Sequence, residues 1–316
     1  MAVTIKDLAK ETGLAYGTIS AYLNNTKVRD ENKKKIEEAI DKLGYIPNEY
    51  ARALKSHTSR TIGVLLPELA SFFATSIISY MEDELRKKGY GIIVTDCRSD
   101  EELEIKAVKY LMSKMVDGLI IMPTTKNNKL FDLTKKFDVP VVVIDRYIED
   151  EHATNVTINN REISKIAVQN MLSHGSKVGV IHGGNVYTSL ERLKGYYDAV
   201  GEVNDDLVVN GKFTLQGGYL AMKRLLDLSP NIDGVFVTNY DMTLGSLLAL
   251  KESGRANSLA FTGFDLGDLT KVIGQKVQIV DQPIKEIGVS AAKIILNKIN
   301  KKETSDIVLS ASIINN

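Results

Sequence analysis

Polar side chains follow several apolar runs in the larger, C-terminal part of the chain, and their types suit ligand binding rather than catalysis. Asp145 and Arg146 follow "VVVI", Asn239 ends "GVFVTN", and Asp265 ends "LAFTGFD". Ligands of open α/β sheets bind beyond the carboxyl ends of the strands, so these residues are candidate ligand contacts. Amide, carboxylate and guanidinium groups that converge on a cleft suit a hydroxyl-rich ligand better than an apolar one.

The sequence lacks the motifs of common enzyme active sites. The four histidines are scattered, and with the single cysteine, Cys97, they have no metal-ligand spacing. His182-Gly183-Gly184 follows a strand-like run, but neither G-x-G-x-x-G nor G-x-x-x-x-G-K-[ST] occurs. No nucleophile stands beside a base. We therefore expect no enzyme activity, no cofactor and no metal, and we interpret Cys97 as a structural thiol.

From Thr61 onward, short apolar runs alternate with helical stretches, a pattern typical of buried strands in a parallel sheet. Helices are predicted at Thr75–Lys88, Glu101–Met115 and Leu130–Phe137. A polar break near 149–154 divides two sets of predicted strands, 61–66, 91–95, 118–122 and 139–144, then 177–184, 234–239, 259–265 and 277–283. Two doubly wound α/β halves in tandem predict two lobes with a cleft between them.

Length and charge distribution indicate more than one domain. At 316 residues, with 44% hydrophobic and 25% charged residues, the chain fits a globular protein of two or three domains. No apolar run approaches the roughly 20 residues that span a bilayer, and the charged N-terminus has no signal-peptide core, so we expect a cytoplasmic protein. Residues 1–60 carry 11 Lys+Arg and 8 Asp+Glu, a modestly basic head on a slightly acidic body.

The first 46 residues read as three short helices. Thr4 and Asp7 form a capping-box-like start for the first helix, and Gly13 ends it. A second helix is predicted at about Tyr16–Leu23 and a third at Asp30–Leu43, which Gly44 ends. Two short helices joined by a glycine turn, with a third closing the core, predict a helix-turn-helix unit.

Particular stretches go beyond this generic pattern. "VTIKDLAKETGL", "TISAYLN", "LGYIPN", "ARAL" and "TIGVLLP" resemble the lactose/galactose repressor (LacI/GalR) family, and the resemblance covers essentially the whole chain. It implies a sequence-specific DNA-binding transcription regulator, usually a repressor, controlled by a small-molecule effector that is expected to be a sugar or sugar derivative. It also implies an N-terminal helix-turn-helix domain with a hinge helix, then a two-lobed, periplasmic-binding-protein-like α/β sensor domain.

By this resemblance the second helix enters the major groove, where base edges present a readable pattern. Tyr16, Gly17 and Ala21 occupy the base-reading positions, and the residues suited to phosphate or nearby contacts are Thr18, Ser20 and Asn24, with Thr4 at the start of the first helix. The alternative for Tyr16 is an aromatic that packs between helices. Ala15 replaces the usual Ser cap, Gly17 a bulkier reader and Ala21 a frequent Arg. Losing a bidentate guanine contact removes about 1–3 kcal/mol of discrimination, so we expect an operator that differs from the family consensus.

The stretch Asn48–Arg60 matches the family's hinge helix. Its start after Pro47 suits a helix, but about one and a half turns are marginal alone in water. The resemblance implies that paired hinges insert into the minor groove, with Leu54 as the apolar wedge and Asn48, Ala51 and Arg52 beside it. Such pairing implies a homodimer and a pseudo-palindromic operator. The alternative is a solvated linker helix with Leu54 packed on its own domain.

In the C-terminal part, "SLERLKGY" matches the family pattern S-x-x-R-x-x-G through Ser189 and Arg192. The resemblance implies that Arg192 reaches the effector, because a guanidinium can pair with vicinal hydroxyls or a carboxylate; the alternative is a surface salt bridge. It also places effector contacts at Asn239, Asp265 and the Gln282 of "DQP". Phe264, and Phe72 or Phe73, could stack on a sugar ring, although for each aromatic alone core packing is the alternative.

Several positions depart from the family pattern and leave the effector unassigned. The family's "NPFF" reads Ser71-Phe72-Phe73-Ala74, its mid-chain Asp-Asn reads Asn159-Asn160, and the Asp after the cleft Asn is Tyr240. The absence of a heptad-rich tail argues against a C-terminal tetramerising helix.

We expect a helix-turn-helix domain at 1–46, a hinge at 47–60 and an effector-binding and dimerisation domain at 61–316. Its lobes are expected at 61–154 plus 284–300 and at 155–283 plus 301–316. The rival function, a periplasmic-type solute-binding protein without gene regulation, fits only 61–316. Our mechanistic hypothesis is that effector closes the lobes, the paired hinges lose their spacing and DNA affinity falls; a corepressor, with the opposite sign, is the alternative.

Overall fold

The computed structural model describes residues 3–23, 26–46, 58–124, 128–202, 204–256, 258–269, 274 and 276–315. They belong to two units, an N-terminal unit of residues 1–59 and a C-terminal unit of residues 60–316. In the described part of the chain, no helix is long and apolar enough to cross a membrane.

The N-terminal unit contains three helices: α1 at Ile5–Thr12, α2 at Tyr16–Leu23 and α3 at Asp30–Leu43. The expected capping box is present, because the Thr4 backbone N–H donates to the Asp7 carboxylate at 2.8 Å. Gly13 and Gly44 end α1 and α3 in the left-handed conformation, at φ 67° and 62°. The small core of the unit consists of Leu8, Ile19, Ile36, Ala39 and Tyr45.

The central strands of the first sheet of the C-terminal unit are nearly continuous runs of Val, Ile and Leu, as expected for strands buried on both faces. Its six strands are parallel and lie in the order β11-β5-β4-β3-β1-β2. Their bounds are β1 Thr61–Leu66, β2 Gly91–Asp96, β3 Gly118–Ile121, β4 Val141–Ile144, β5 Ala153–Ile158 and β11 Ile307–Leu309.

The second sheet repeats this design and lies in the order β12-β10-β9-β8-β6-β7. Only β12 runs antiparallel, against β10. The strand bounds are β6 Val178–His182, β7 Val208–Asn210, β8 Gly234–Val237, β9 Ala260–Phe264, β10 Gln278–Asp281 and β12 Ser312–Asn315.

Helices cover both sheets and define the two lobes. The first lobe carries α4 Phe72–Arg86, α5 Glu101–Ser113, α6 Asn128–Lys136 and α11 Ile284–Ile299, and the second carries α7 Asn160–Leu172, α8 Tyr187–Val200, α9 Leu215–Leu228 and α10 Tyr240–Glu252. The chain crosses between the lobes after β5, after β10 and after β11. Asn159 joins two of these crossings, because its side chain accepts the Ala311 N–H at 2.9 Å and its backbone N–H donates to Leu309.

The structure differs from the expected lobe boundaries at two places. β5 extends the first sheet through Ile158, beyond the expected limit at 154, and β11 pairs with β5 although 301–316 was expected entirely in the second lobe. β5 was missed because its buried positions include the polar residues Thr154, Asn155 and Thr157, so it lacks an apolar run. Asn155 is satisfied by Asp306, which accepts its backbone N–H at 2.7 Å and also its side-chain amide.

Candidate functional site

Helix α2 presents the candidate base-reading residues on one exposed face. Ile19 is the buried residue of this helix, whereas Tyr16 is 56% exposed and Gly17 is also exposed. Thr18, Ser20 and Ala21 are half-buried, and Thr4 is exposed. The Tyr22 hydroxyl donates to Glu37 at 2.9 Å and joins α2 to α3. The arrangement leaves Tyr16 and Gly17 available for a partner while the opposite side of the helix holds the core.

Two of the three small residues that depart from the family pattern in this region, Ala15 and Gly17, have different structural consequences. Ala15 offers no capping side chain, and its carbonyl accepts the Thr18 N–H at 2.9 Å in the first turn of α2. A Cβ atom at Gly17 would have no neighbour within 4 Å, so packing does not require a glycine there. The predicted contacts Asn24, Asn48, Ala51, Arg52 and Leu54 lie outside the described residues.

In the C-terminal unit, the Arg192 guanidinium is buried between polar and aromatic partners. Its Nε donates to the Asn160 side-chain oxygen at 2.7 Å and its Nη1 to the Thr238 carbonyl at 2.7 Å. The guanidinium lies 3.8 Å from the centroid of the Phe264 ring. Because Arg192 is buried, this geometry excludes the alternative of a surface salt bridge. The guanidinium also covers one face of the Phe264 ring, and Phe264 is itself fully buried.

A close approach of two helices sets the position of Arg192. Gly195 lies one turn beyond it on α8, where a Cβ atom would clash with the Arg161 carbonyl oxygen of α7. The glycine of the S-x-x-R-x-x-G pattern therefore lets α8 pack closely against α7. Asn160, the first residue of α7, then lies within hydrogen-bond distance of Arg192. Ser189, one turn before Arg192, is buried, and its hydroxyl accepts the Gly183 N–H at 2.9 Å.

Two aspartates flank Arg192, one from each lobe. Asp145 follows β4 and Asp265 follows β9, and both have left-handed backbones, at φ 66° and 62°, a conformation that Asp tolerates better than most residues. Burial raises the pKa of Asp145, while Arg192 and Arg146 oppose the shift. Burial raises the pKa of Asp265 to about 7, although Arg192 and a hydrogen bond from Gln282 oppose the rise.

We call Asp145, Arg146, Arg192, Asp265 and Gln282 the interlobe site, because they follow strands or lie on helices of both lobes. Gln282 donates through Nε2 to Asp265 at 2.7 Å. Arg146 donates through Nη1 to the Pro123 carbonyl, and its Nε lies 3.9 Å from Asp145 Oδ2. Burial lowers the pKa of the Arg192 guanidinium, and the charges of Asp145 and Asp265 raise it. Two predicted residues from separate segments, Asp145 and Asp265, thus act on the Arg192 guanidinium.

Buried polar atoms without a partner cluster at this site. Within the described ranges, seven buried side-chain nitrogen or oxygen atoms have no hydrogen-bond partner in the protein. Six of them follow a strand or lie on Arg192 near the carboxyl edges of the sheets: Thr124 Oγ1, Arg146 Nε, Arg192 Nη2, Thr238 Oγ1, Asp265 Oδ1 and Gln282 Oε1. Buried polar groups are normally paired, so this edge carries both donors and acceptors that a polar ligand could satisfy.

Two aromatic pairs connect the lobes beside this site. Phe72 of the first lobe stacks on Tyr240 of the second at 5.6 Å between ring centroids, and Tyr147 lies 6.0 Å from Tyr187. Phe72 is 54% exposed, but Phe73 packs against the first-lobe core, which leaves Phe72 as the better candidate for a ligand contact. Asn239 caps α10, because its side-chain oxygen accepts the Met242 N–H at 3.0 Å.

Sequence reasoning missed two residues that hold Arg192, Asn160 and Thr238. Asn160 matches the Asn of the family's mid-chain Asp-Asn, in which only Asn159 departs, and no role was predicted for it. Thr238 acts through its backbone carbonyl, which no residue type reveals. Cys97 is buried as expected, its thiol donates to the Leu66 carbonyl, and burial raises the thiol pKa to about 12. No group of three or more His, Cys, Asp or Glu side chains that could hold a metal ion occurs within the described ranges.

Comparison with family models identifies both units. Residues 4–48 match the model described as "Bacterial regulatory proteins, lacI family". Residues 59–314 match the model described as "Periplasmic binding proteins and sugar binding domain of LacI family". The chain belongs to the LacI family. The match to the helix-turn-helix model separates this LacI-family protein from a solute-binding protein that has only the two-lobed domain.

Individual relatives agree over nearly the full length. The probable HTH-type transcriptional regulator EndR of Paenibacillus polymyxa is 30% identical over 316 residues, which cover 96% of this chain and 92% of the relative. The transcriptional regulator CelR in complex with cellobiose superposes with a TM-score of 0.75 at 25% identity, over 99% of this chain and 98% of that one. The Lac repressor dimer bound to operator and the anti-inducer ONPF has the same fold, with a TM-score of 0.88, 22% identity and the same coverage.

These matches confirm the predicted fold class and function. The LacI-family protein has an N-terminal helix-turn-helix domain and a two-lobed α/β domain like that of periplasmic binding proteins. It is a DNA-binding transcription regulator under effector control and not an enzyme. The individual DNA-contacting and effector-contacting residues, and the domain limits at 46 and 60, stay predictions.

Proposed function

We propose that this LacI-family regulator is a cytoplasmic repressor that binds a pseudo-palindromic operator as a homodimer and takes a sugar or sugar derivative at the interlobe site. The unpaired buried polar atoms of that site carry the proposal. Arg146 and Arg192 offer donors, and Asp265 and Gln282 offer acceptors. A sugar hydroxyl donates and accepts, so one hydroxyl-rich ring could satisfy both kinds of atom.

The aromatic side chains fit the same ligand class. Phe72, which is exposed, stacks on the half-buried Tyr240 across the two lobes, and Tyr147 and Tyr187 form a second pair between the lobes. Aromatic rings give apolar surface to a ligand whose hydroxyls are bound elsewhere. The complex of the similar regulator CelR with cellobiose supports a sugar as the effector class.

For DNA recognition we propose direct base contacts by Tyr16, Gly17 and Ala21, with Thr4, Thr18, Ser20 and Asn24 near the phosphates. The exposed face of α2 supports these roles for its own residues. From the family resemblance we retain the hinge proposal, in which Leu54 is the minor-groove wedge beside Asn48, Ala51 and Arg52. We also retain domain limits of 1–46, 47–60 and 61–316.

Effector control follows from the placement of the site. Asp145 belongs to the first lobe and Arg192 to the second, so a ligand that binds both favours one relative lobe position over others. We propose that this position disfavours the paired hinges and lowers operator affinity. A corepressor would act through the same residues with the opposite sign.

The test begins with selection of operator sequences from random duplex DNA by the full-length protein. We expect a pseudo-palindrome whose half-sites lie about one helical turn apart. Fluorescence anisotropy with that duplex then measures affinity in the presence of cellobiose, galactose, glucose or ribose. At least one sugar should change the affinity of the parent protein. Failure to select any specific duplex would overturn the regulator assignment, and selection without any sugar response would overturn the effector class.

A further inference from the structure

Glu104, outside the predicted effector contacts, is fully buried although it lies in the first turn of α5. An unpaired carboxylate in that position would be strongly destabilising. Its Oε1 accepts the backbone N–H of Thr124 at 2.7 Å, and the position near the start of a helix also favours a negative charge. The buried carboxylate of Glu104 therefore holds the segment that follows β3 through this hydrogen bond.

That segment leads directly to the interlobe site. Pro123, next to Thr124, accepts a hydrogen bond from Arg146 Nη1. The charge of Glu104 also acts on Arg146, because burial lowers the pKa of that guanidinium while Asp145 and then Glu104 raise it. Glu104 thus contacts the β3–α6 connection and balances the cation that follows β4.

From Arg146 in the first lobe to Arg192 in the second, positive and negative side chains alternate, with Asp145 between the two arginines. Arg146 Nε lies 3.9 Å from Asp145 Oδ2, and the charge of Asp145 in turn acts on Arg192 of the second lobe more strongly than that of Asp265 does. Arg192 acts on Asp145 more strongly than Arg146 does. If Glu104 lost its charge, Asp145 would be the main counter-charge left for Arg146, and its carboxylate would be drawn away from Arg192.

We propose that Glu104 is a positioning residue of the effector site, which holds Pro123–Thr124 and Arg146 so that the Asp145 carboxylate stays directed at Arg192 and the ligand. The inference rests on the proposed function only in taking the interlobe site as the effector site. It assigns a role in ligand affinity to a side chain on a helix that lies outside the predicted contacts.

The test compares Glu104→Gln with Glu102→Gln in the full-length protein. Glutamine keeps the acceptor oxygen and the size of glutamate but loses the charge, and Glu102 is an exposed residue of the same helix. We expect amide hydrogen exchange in peptides containing Thr124 and Arg146 to become roughly tenfold faster in Glu104→Gln only, since hydrogen bonds to charged groups are the stronger ones. Exchange in the second lobe away from Arg192 should not change.

A second variant separates positioning from general support of the fold. In Glu104→Gln with Arg146→Met, no unbalanced cation remains, so exchange around Asp145 should return to within about twofold of the parent. Unchanged exchange in Glu104→Gln would overturn the proposal. A second result would also overturn it. This is faster exchange, or loss of folding, throughout the C-terminal unit of Glu104→Gln that persists when Arg146→Met is added.

Sugar affinity supplies the functional measurement. In calorimetric titrations with whichever of cellobiose, galactose, glucose or ribose binds the parent, Glu104→Gln should weaken binding roughly tenfold and Glu102→Gln should not. In an Asp145→Asn background, Glu104→Gln should add less than about twofold, because both act through one carboxylate. Additive losses would contradict positioning. If none of the sugars binds the parent, the sugar proposal fails while the exchange experiment still decides the role of Glu104.

Discussion

Helix α2 and the interlobe site place their candidate contact residues in opposite environments. Helix α2 keeps one anchor, Ile19, in its core and leaves Tyr16 and Gly17 on an open face. The interlobe site buries Arg192 and Asp265 almost completely and supports each with neighbours from other segments. DNA is large enough to be bound by side chains on an exposed face, whereas a small ligand is bound in a pocket that buries most of its surface.

This difference predicts how each region responds to substitution. On the exposed face of α2 a side chain can change without disturbing a neighbour, so DNA recognition should change there without a loss of stability. At the interlobe site each charged group is also a counter-charge for another group, so recognition and stability should change together.

The largest effect is expected for Arg192→Ala. The substitution leaves Asp145 and Asp265 without their shared cation and removes the hydrogen bonds to Asn160 and Thr238. We expect a loss of about 3–5 kcal/mol in the free energy of unfolding of the C-terminal unit. Urea denaturation followed by circular dichroism measures it.

The matched control for this prediction is Arg161→Ala. Arg161 makes a two-bond ion pair with Asp198, at 2.6 and 2.8 Å, but on the exposed surface. Arg161→Ala should lower the free energy of unfolding by no more than about 1 kcal/mol. Equal losses for the two arginines would show that burial at the interlobe site has no special energetic role.

The next largest effect concerns pH. Burial raises the pKa of Asp265 to about 7, so between pH 4 and pH 7 the folded state holds a proton that the unfolded state releases. The contribution of this group is therefore present at low pH and is lost as pH rises toward 7, by up to about 1.4 kcal/mol per pH unit. Asn tolerates the left-handed backbone, so Asp265→Asn should fold and remove this slope.

Urea denaturation at pH 5, 6, 7 and 8 tests the slope in the parent, in Asp265→Asn and in the exposed control Asp227→Asn. The parent and the control should lose stability relative to Asp265→Asn as pH rises. Parallel stability curves for all three proteins would contradict a proton held at Asp265.

A smaller effect is expected where α8 approaches α7. A Cβ atom at Gly195 would clash with the Arg161 carbonyl and lie 2.8 Å from the Ser164 Cβ. Gly195→Ala should therefore destabilise the protein by about 1–3 kcal/mol despite the better helix propensity of alanine. Because the helix must shift, Arg192 should also lose its bond to Asn160, and sugar affinity should fall; unchanged unfolding midpoints would contradict this packing.

The smallest effect has the opposite sign. Gly17 has open space around the position of a Cβ atom, so Gly17→Ala should stabilise the N-terminal unit by about 0.5–1 kcal/mol. The same substitution should change which operator sequences are selected, because it adds a methyl group to the exposed face of α2. A loss of stability, or an unaltered set of selected sequences, would contradict the separation of folding from recognition on this helix.

Much of the fold could be predicted because its strands are short apolar runs. "TIGVLL" and "VVVI" are buried on both faces of a sheet, "GIIVT" forms a half-buried edge strand, and the composition of all three identifies them as strands. β5 could not be found this way, since Thr154, Asn155 and Thr157 occupy buried positions that hydrogen bonds satisfy. β11 and β12 are separated by only two residues, and no sequence pattern tells which sheet each joins.

The site could be predicted where chemistry is carried by a side chain at a strand end. Asp145, Arg146 and Asp265 stood out for that reason, and Arg192 and Gln282 through the family pattern. Glu104 did not stand out, because a glutamate in the first turn of a helix normally faces solvent. Only the fold shows that this one is buried beneath the segment that leads to the site.

The most direct test of the account is operator affinity, with and without the responding sugar, in the parent, Arg192→Lys and Arg161→Lys. Lysine keeps the charge but cannot donate to Asn160 and Thr238 together across the face of Phe264. We predict that Arg192→Lys binds the sugar-free operator like the parent and loses the sugar response, while Arg161→Lys keeps both. A full sugar response in Arg192→Lys would contradict the claim that the effector acts by binding at the interlobe site.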